Sequence, residues 1–204
     1  KNETDRAGLL SIIQHDLQRM DRLISDISQA SRLDAELTRD ILEALDIRHI
    51  LNSLIASKSD PQSRREGERH GAIACSGFDT PAMVIGQSGR LAQVFDNLIS
   101  NALSFSQDGG TVLVKIETII DKIRITIEDD GPGIPENRLH KIFDRFYSER
   151  PVAESFGMHS GLGLSIAKQI IESHGGSIYA ENRRDDAGKV MGARFVVKLR
   201  IPVI

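Results

Sequence analysis

Asn97 and Asn101 stand four residues apart in SGRLAQVFDNLISNALSFS (88–106). Leu91, Phe95, Leu98, Ala102 and Phe105 recur there at helical spacing, which predicts a helix with a core-facing stripe. At i and i+4 the two amides share one helix face, in a polar stripe with Arg90, Gln93 and Ser104. Asparagine inside a helix costs up to about 0.7 kcal/mol relative to alanine, so a pair beside a core stripe suggests work for the side-chain oxygens. A neutral carbonyl oxygen suits Mg2+, a hard cation that prefers oxygen and keeps waters and phosphate oxygens as its other ligands. A solvated helix face is the alternative.

A second concentration of chemistry is EDDGPGIP (128–135), directly after the alternating run DKIRITI. Asp129 ends that strand, where its carboxylate can face a cleft. A carboxylate only accepts hydrogen bonds, so the exocyclic amine of a purine is a natural partner. Gly131 and Gly133 permit positive φ and let a ligand approach the backbone, while Pro132 and Pro135 limit the wandering of the loop. An acidic β-turn is the alternative. A third concentration is SGLGLSIAKQII (160–171), where Gly161 and Gly163 precede a helix. The first N–H groups of a helix lack internal partners and form an anion site. The dipole adds only about 0.3–1 kcal/mol at an exposed site, so phosphate binding there would rest on hydrogen bonds and a metal. A plain glycine-rich helix start is the alternative. Ile166 occupies the third glycine position of a GxGxxG, and no GxxxxGK[ST] occurs, so neither a dinucleotide fingerprint nor a P-loop fits.

These residues need a frame. TVLVKIETI (111–119) and KIRITIEDD (122–130) read as a strand pair joined near Asp121. Two shorter strand-like runs lie near 72–76, with Cys75, and near 81–86. PENRLHKIFDRFY (135–147) reads as a short helix with proline at its start. Residues 148–160 read as an aperiodic loop, and GLGLSIAKQIIESHGG (161–176) as a helix closed by Gly175 and Gly176. SIYAEN (177–182) and ARFVVKLRI (193–201) are the last strands, and Ser88 is expected to cap the asparagine helix. Residues 41–58 are mixed and partly helical, and 59–71 are a polar loop. Together these predict an α+β fold, a two-layer sandwich of a mostly antiparallel sheet with helices on one face. Ahead of it, residues 4–37 read as one long helix. Its heptad seam of Leu10, Ile13, Leu17, Met20, Ile24 and Ile27 wants a partner helix and predicts self-association or a missing helix.

The 204 residues suffice for one ordinary domain plus an appendage. A net charge of −3 gives no footprint for nucleic acid or an anionic membrane surface. The single cysteine excludes an internal disulfide framework. No apolar run approaches the ~20 residues that span a bilayer, and no signal peptide is visible. The chain begins at KNETDRAG without methionine, as a fragment of a longer protein would.

Singly each motif is common; their order is not. An Asn-x3-Asn helix, then Asp-x-Gly-x-Gly after a strand, then Gly-x-Gly-Leu opening a helix resembles the N, G1 and G2 boxes of the GHKL (Bergerat) ATP-binding fold. Within it the chain looks like a bacterial sensor histidine kinase. NLISNALSFS (97–106) is similar to the N box, IFDRFYSER (142–150) to the F box, and GKVMGARFVV (188–197) to the final glycine-aromatic element. MDRLISDISQASRLDAEL (20–37) resembles the second helix of the dimerisation and phosphotransfer hairpin. With the residues before it, this run is similar to the ChvG/ExoS/BvrS group of alphaproteobacterial sensors. The resemblance implies a partial hairpin helix over 1–38 and a catalytic ATP-binding domain over 39–204. It implies a homodimer through the first helix, a response regulator as partner, and a cytoplasmic place beneath a membrane anchor.

Residue by residue, the resemblance implies that Asp129 binds the adenine amine and that Gly131 and Gly133 shape the pocket floor. Asn101 would ligate Mg2+ with Asn97 beside it. Gly161, Leu162, Gly163 and Leu164 would hold phosphate oxygens through their backbone. Residues 148–160 would be the ATP lid, braced by Phe143, Phe146 and Tyr147, although core packing explains the two phenylalanines equally well. ATP-hydrolysing relatives such as gyrase and Hsp90 carry an acid near position 97. An amide cannot take a proton from water at neutral pH, so Asn97 argues for phosphoryl transfer over the alternative, a GHKL ATPase or chaperone-like machine. A scaffold without enzymatic activity, a third reading, has only the helical seam in its favour. Ser104 and Ser148 stand where many such kinases have lysine and arginine. Arg150, Lys141 or Arg145 are the candidate replacements, Arg150 first because it sits in the lid.

Of the six histidines, His15 imitates the start of a phosphoacceptor motif, but Met20 and Asp21 break it and second-helix sequence follows at once. The expectation is a chain that lacks its phosphoacceptor and binds Mg-ATP without phosphorylating itself. His49 and His70 lie in unlike contexts, His140 and His174 read as surface or cap residues, and His159 lies in the lid.

Overall fold

The structure is a computed structural model that describes residues 42–60, 71–147 and 161–202. The predicted long helix, His15, His70, His159, Ser148, Arg150 and the predicted lid lie outside the described residues.

The chain opens with strand β1 (Glu43–Asp46) and helix α1 (Ile47–Ser59). Asp46 caps α1, accepting from the N–H of Arg48 at 3.1 Å, and its carboxylate pairs with the Arg48 guanidinium at 2.6 Å. β1 pairs antiparallel with β3 (Met83–Gly86) in a small two-stranded sheet. The main sheet has five strands in the order β2 (Ala72–Ser76), β4 (Thr111–Ile119), β5 (Lys122–Glu128), β7 (Val190–Arg200), β6 (Ser177–Arg184). Every pairing in it is antiparallel except β2 with β4.

Strand alternation splits the sheet into two unlike faces. Val112, Val114, Ile116, Ile123, Ile125, Ile127, Phe195, Val197 and Leu199 are buried against the helices. Lys115, Arg124 and Lys198 alternate with them, and Lys115, Glu117 and Arg124 form an ion-paired ladder on the other face. Helix α2 (Ser88–Phe105) buries Leu91, Val94, Phe95, Leu98, Ile99 and Ala102, a stripe at i, i+3, i+4 and i+7 spacing. Helix α3 (Gly163–Ser173) buries Ile166, Ala167, Ile170 and Ile171.

Several details depart from the sequence reading. α2 is capped by the backbone position of Gln87, with Ser88 already its first residue; the Gln87 N–H is instead held by the His174 ring. Phe105 is half-buried, because the stripe drifts off the core face in the last turn. Residues 135–147 form two single 3-10 turns, Glu136–Arg138 and Lys141–Phe143, in place of one helix. His174 is buried at the C-terminus of α3, where its Nδ1 bonds the carbonyl of Ile170 at 2.7 Å and Nε2 accepts from Gln87 at 3.1 Å. It is a cap, as expected, but not a surface residue. Burial holds its pKa below the ordinary imidazole value, offset in part by the Ile170 bond and reinforced by the charge of Arg90.

Candidate functional site

The site gathers around α2. Asn97 donates its Nδ2 to the carbonyl of Gly163 at 3.2 Å, tying the helix to the first residue of α3. Eight residues on, the carbonyl of Phe105 lies so close to Gly131 that a Cβ there would sit 2.5 Å from it. Asn101 falls between these two anchor points, half-buried, and its side-chain amide makes no hydrogen bond among the described residues.

The three consecutive acids of the β5 end have three different environments. Glu128 is held by two arginines: Arg194 Nε on one carboxylate oxygen at 2.7 Å and Arg183 Nε on the other at 2.9 Å. Asp130 accepts from the backbone N–H of Gln107 at 3.2 Å and of Thr111 at 3.3 Å, pinning the loop between α2 and β4. Asp129, 2% exposed, receives the N–H groups of Gly131 and Ala193, each at 3.0 Å, and both on Oδ1. Its Oδ2 takes no hydrogen bond among the described residues. Burial pushes the Asp129 carboxyl above the usual carboxylate range, against the two backbone donors; the neighbouring charge of Asp130 adds to the rise and Arg183 opposes it.

The glycines differ in why they are glycine. Gly133 has φ +78°, a left-handed conformation that L side chains rarely adopt. Gly131 does not, contrary to the expectation from sequence; it is there because nothing larger fits beside Phe105 and Asp129. Gly161 has φ +72°, and a Cβ on it would lie 2.7 Å from the Tyr147 carbonyl. Its own carbonyl accepts from Phe146 N–H at 3.0 Å, so the residues flanking 148–160 are hydrogen-bonded to each other. Leu162 is buried and anchors the start of α3, with Leu164 partly buried against the core. Phe143 packs edge-on against Phe195 at 6.4 Å as a core residue. Phe146 is 64% exposed with φ +65°, so core packing does not explain it. Tyr147 is half-buried under the Arg138 guanidinium, 5.9 Å from the ring centroid.

Two residues that the sequence reading passed over shape the site from β6. Asn182 grips Ile134 by both backbone groups: Oδ1 accepts its N–H and Nδ2 donates to its carbonyl, each at 2.7 Å. Arg183 reaches the carbonyl of Asp129 at 2.6 Å besides pairing with Glu128. Asparagine is disfavoured in strands, and an Asn-Arg-Arg run at the end of one was the signal available.

The donor set suits a nucleotide with Mg2+. There is one carboxylate oxygen for an amine, and amide oxygens on Asn97 and Asn101 that suit a hard cation. No cluster of His, Cys, Asp or Glu able to hold a metal alone occurs among the described residues.

Residues 86–203 match the family model of the histidine kinase-, DNA gyrase B-, and HSP90-like ATPases. Over 202 residues, 98% of the chain, the sequence is 43% identical to the sensor protein ChvG of Agrobacterium fabrum, of which it spans 34%. The structure of the mycobacterial sensor histidine kinase MprB matches with a TM-score of 0.61 at 30% identity, over 80% of this chain and 100% of that one. Full-length ShkA in complex with AMPPNP matches with a TM-score of 0.72 over 98% of this chain and 40% of that one; at 22% identity this likeness speaks to the fold alone. With its two-layer fold, its paired asparagines and its glycine turns in this order, the chain belongs to the histidine kinase-, DNA gyrase B- and HSP90-like ATPase family, where it groups with the ChvG-type sensor histidine kinases.

Proposed function

We propose that this chain is the ATP-binding catalytic portion of a two-component sensor histidine kinase. The γ-phosphoryl group of ATP passes to a histidine outside the chain and onward to a response regulator. One observation supports the reading: of three adjacent acids, Glu128 and Asp130 spend both oxygens on protein donors, while Oδ2 of Asp129 takes no hydrogen bond among the described residues. In this reading Asp129 accepts from the adenine amine, Gly131 and Gly133 form the pocket floor, and the backbone of Gly161, Leu162, Gly163 and Leu164 faces the phosphates. Asn101 and Asn97 hold Mg2+, which neutralises phosphate charge when bound. Tyr147 borders the phosphate end, and Arg150 is assigned to the phosphates by the family resemblance alone. Asn97 is an amide already donating to Gly163, so it is no base for water, and transfer to histidine is favoured over hydrolysis.

In this reading residues 1–38 belong to a dimerising hairpin and 39–204 to the catalytic domain, in the cytoplasmic portion of a membrane-anchored sensor. Among the described residues no helix is long and apolar enough to cross a membrane. Titration with a fluorescent ATP analogue, with and without Mg2+, tests the reading, and incubation with γ-labelled ATP completes it. Saturable, Mg2+-dependent binding with no label retained on the chain is expected. Absence of binding, or stable label on His15, overturns it.

A further inference from the structure

We propose that Arg183 is a positioning residue for the purine-binding carboxylate; this rests on the assignment of Asp129 to adenine. The argument starts from the sheet ladder. β5 and β7 pair antiparallel with Glu128 opposite Arg194, which brings Asp129 opposite Ala193. A hydrogen-bonded antiparallel pair exchanges two bonds, N–H to C=O in each direction. Here one half of the exchange is made, Asp129 N–H to the Ala193 carbonyl at 3.0 Å. The other half is diverted: Ala193 N–H goes to the Asp129 side chain, Oδ1, at 3.0 Å. The backbone carbonyl of Asp129 thereby loses the donor a regular ladder would give it. The Arg183 guanidinium supplies a replacement, with Nη1 2.6 Å from that carbonyl.

The surroundings fit this substitution. Between Arg183 and Arg184 the register shifts, pairing Arg183 with Gly192 but Arg184 with Val190, a bulge that leaves Met191 unpaired on β7. A Cβ on Gly192, whose φ is +142°, would lie 2.0 Å from the same Asp129 carbonyl, so the approach is open only because the residue is glycine. Glu128 orients the guanidinium through Nε at 2.9 Å, and Arg194 in turn holds Glu128 and Glu181. Removing Arg183 leaves a buried carbonyl without a donor, and Ala193 N–H is then drawn back to it from Oδ1. The carboxylate loses one of its two backbone holds and with it the fixed direction of Oδ2.

The test compares ATP with inosine triphosphate, which has an oxygen in place of the exocyclic amine. Affinities of the 204-residue chain are measured for wild type, Arg183→Met, Arg183→Lys and Asp129→Asn, each with a thermal melt. Arg183→Met is expected to lower the ATP-over-inosine preference about tenfold, the worth of one charge-assisted hydrogen bond, with the inosine affinity little changed. Arg183→Lys, which keeps a donor for the carbonyl, is expected to restore most of the preference. A merely structural role would weaken both nucleotides alike, and that result overturns the proposal. An unchanged preference in folded Arg183→Met, or in Arg183→Lys and Arg183→Met equally, also overturns it. If Asp129→Asn abolishes the preference while Arg183→Met keeps it, the assignment of Asp129 stands and the role of Arg183 falls. If Asp129→Asn keeps the preference, both fall.

Discussion

Replacing Asp129 by asparagine separates binding from folding, because only Oδ1 of this carboxylate is held by the described residues and the proposed function gives Oδ2 to the adenine amine. Two backbone donors, Gly131 and Ala193, converge on Oδ1 at 3.0 Å each. An amide placed there must turn its oxygen to them, since its NH2 group would leave two buried N–H donors facing a donor. Nδ2 is therefore forced into the place of Oδ2, where it confronts the adenine amine with hydrogens. The variant loses a charge-assisted hydrogen bond, about 1.5–3 kcal/mol, and leaves a donor unpaired at about 1–3 kcal/mol more. Together these correspond to a loss of roughly 10²–10⁴-fold in nucleotide affinity. Stability should move the other way or not at all: the fold keeps its Oδ1 contacts and is relieved of a buried charge whose pKa burial has already raised. Isothermal titration with ATP, alongside a melt of the ligand-free variant, reads both quantities. An affinity within about threefold of wild type would falsify the assignment, and a melt several degrees lower would mean that the negative charge itself holds the fold.

Asn182→Ala removes both grips on Ile134 and should destabilise the chain by about 1–3 kcal/mol, with weaker nucleotide binding; a denaturation midpoint equal to wild type refutes this. His174 must stay neutral to accept from Gln87 and has a folded pKa below its unfolded one, so stability should fall as pH drops below about 6.5. His174→Gln, less stable at pH 7, should show a flatter melt-against-pH profile between about pH 7 and 5, and parallel profiles would refute the reasoning. The Arg48 hydrogen bonds lower the Asp46 pKa to about 2, so its contribution is present above the unfolded value near 3.8 and lost as pH falls toward 2. Asp46→Asn should therefore be less stable than wild type at pH 7 and converge with it near pH 2 in denaturant titrations; a gap that persists in acid counts against the ion pair.

What the sequence disclosed about the site is what is local. The stripe of α2, the Asp129 turn and the glycines at the start of α3 each depend on residues within one or two turns of each other, and periodicity and local spacing report such relations directly. The job of Asp130 was not legible, because its partners Gln107 and Thr111 lie about twenty residues away across a strand pairing. Neither was that of Glu128, Asn182 or Arg183, which depends on β6 and β7 meeting β5 in one register with one bulge. The 3-10 turns at 136–143 escaped for a different reason. Ile142 and Phe143 are buried by the core, and tertiary contact there outweighs helical spacing. His174 read as a surface or cap residue, and its burial was not legible because nothing in IESHGG reveals that the start of α2, 87 positions earlier, needs an acceptor.

The position of α2 governs the spacing of the site. Asn97 registers the helix against Gly163, and Phe105 registers it against Gly131, eight residues further on. At 1.5 Å per residue the helix sets these anchor points about 12 Å apart. A hydrogen-bonded helix of 18 residues holds that distance far better than two glycine turns could. The turns can thus be chosen for close approach and left-handed geometry, not for stiffness. This gives the contacts on the far sides of α2 a part in nucleotide binding although they lie outside the pocket. Lys58 of α1 pins Asp96 at 2.7 Å and Ser100 at 2.6 Å, the residues just before Asn97 and Asn101, and His174 holds the first turn through Gln87. A shift of α2 by one residue would carry Asn97 away from Gly163 and Phe105 away from Gly131 together, so the phosphate end and the purine end of the proposed site are expected to fail jointly when these holds are cut.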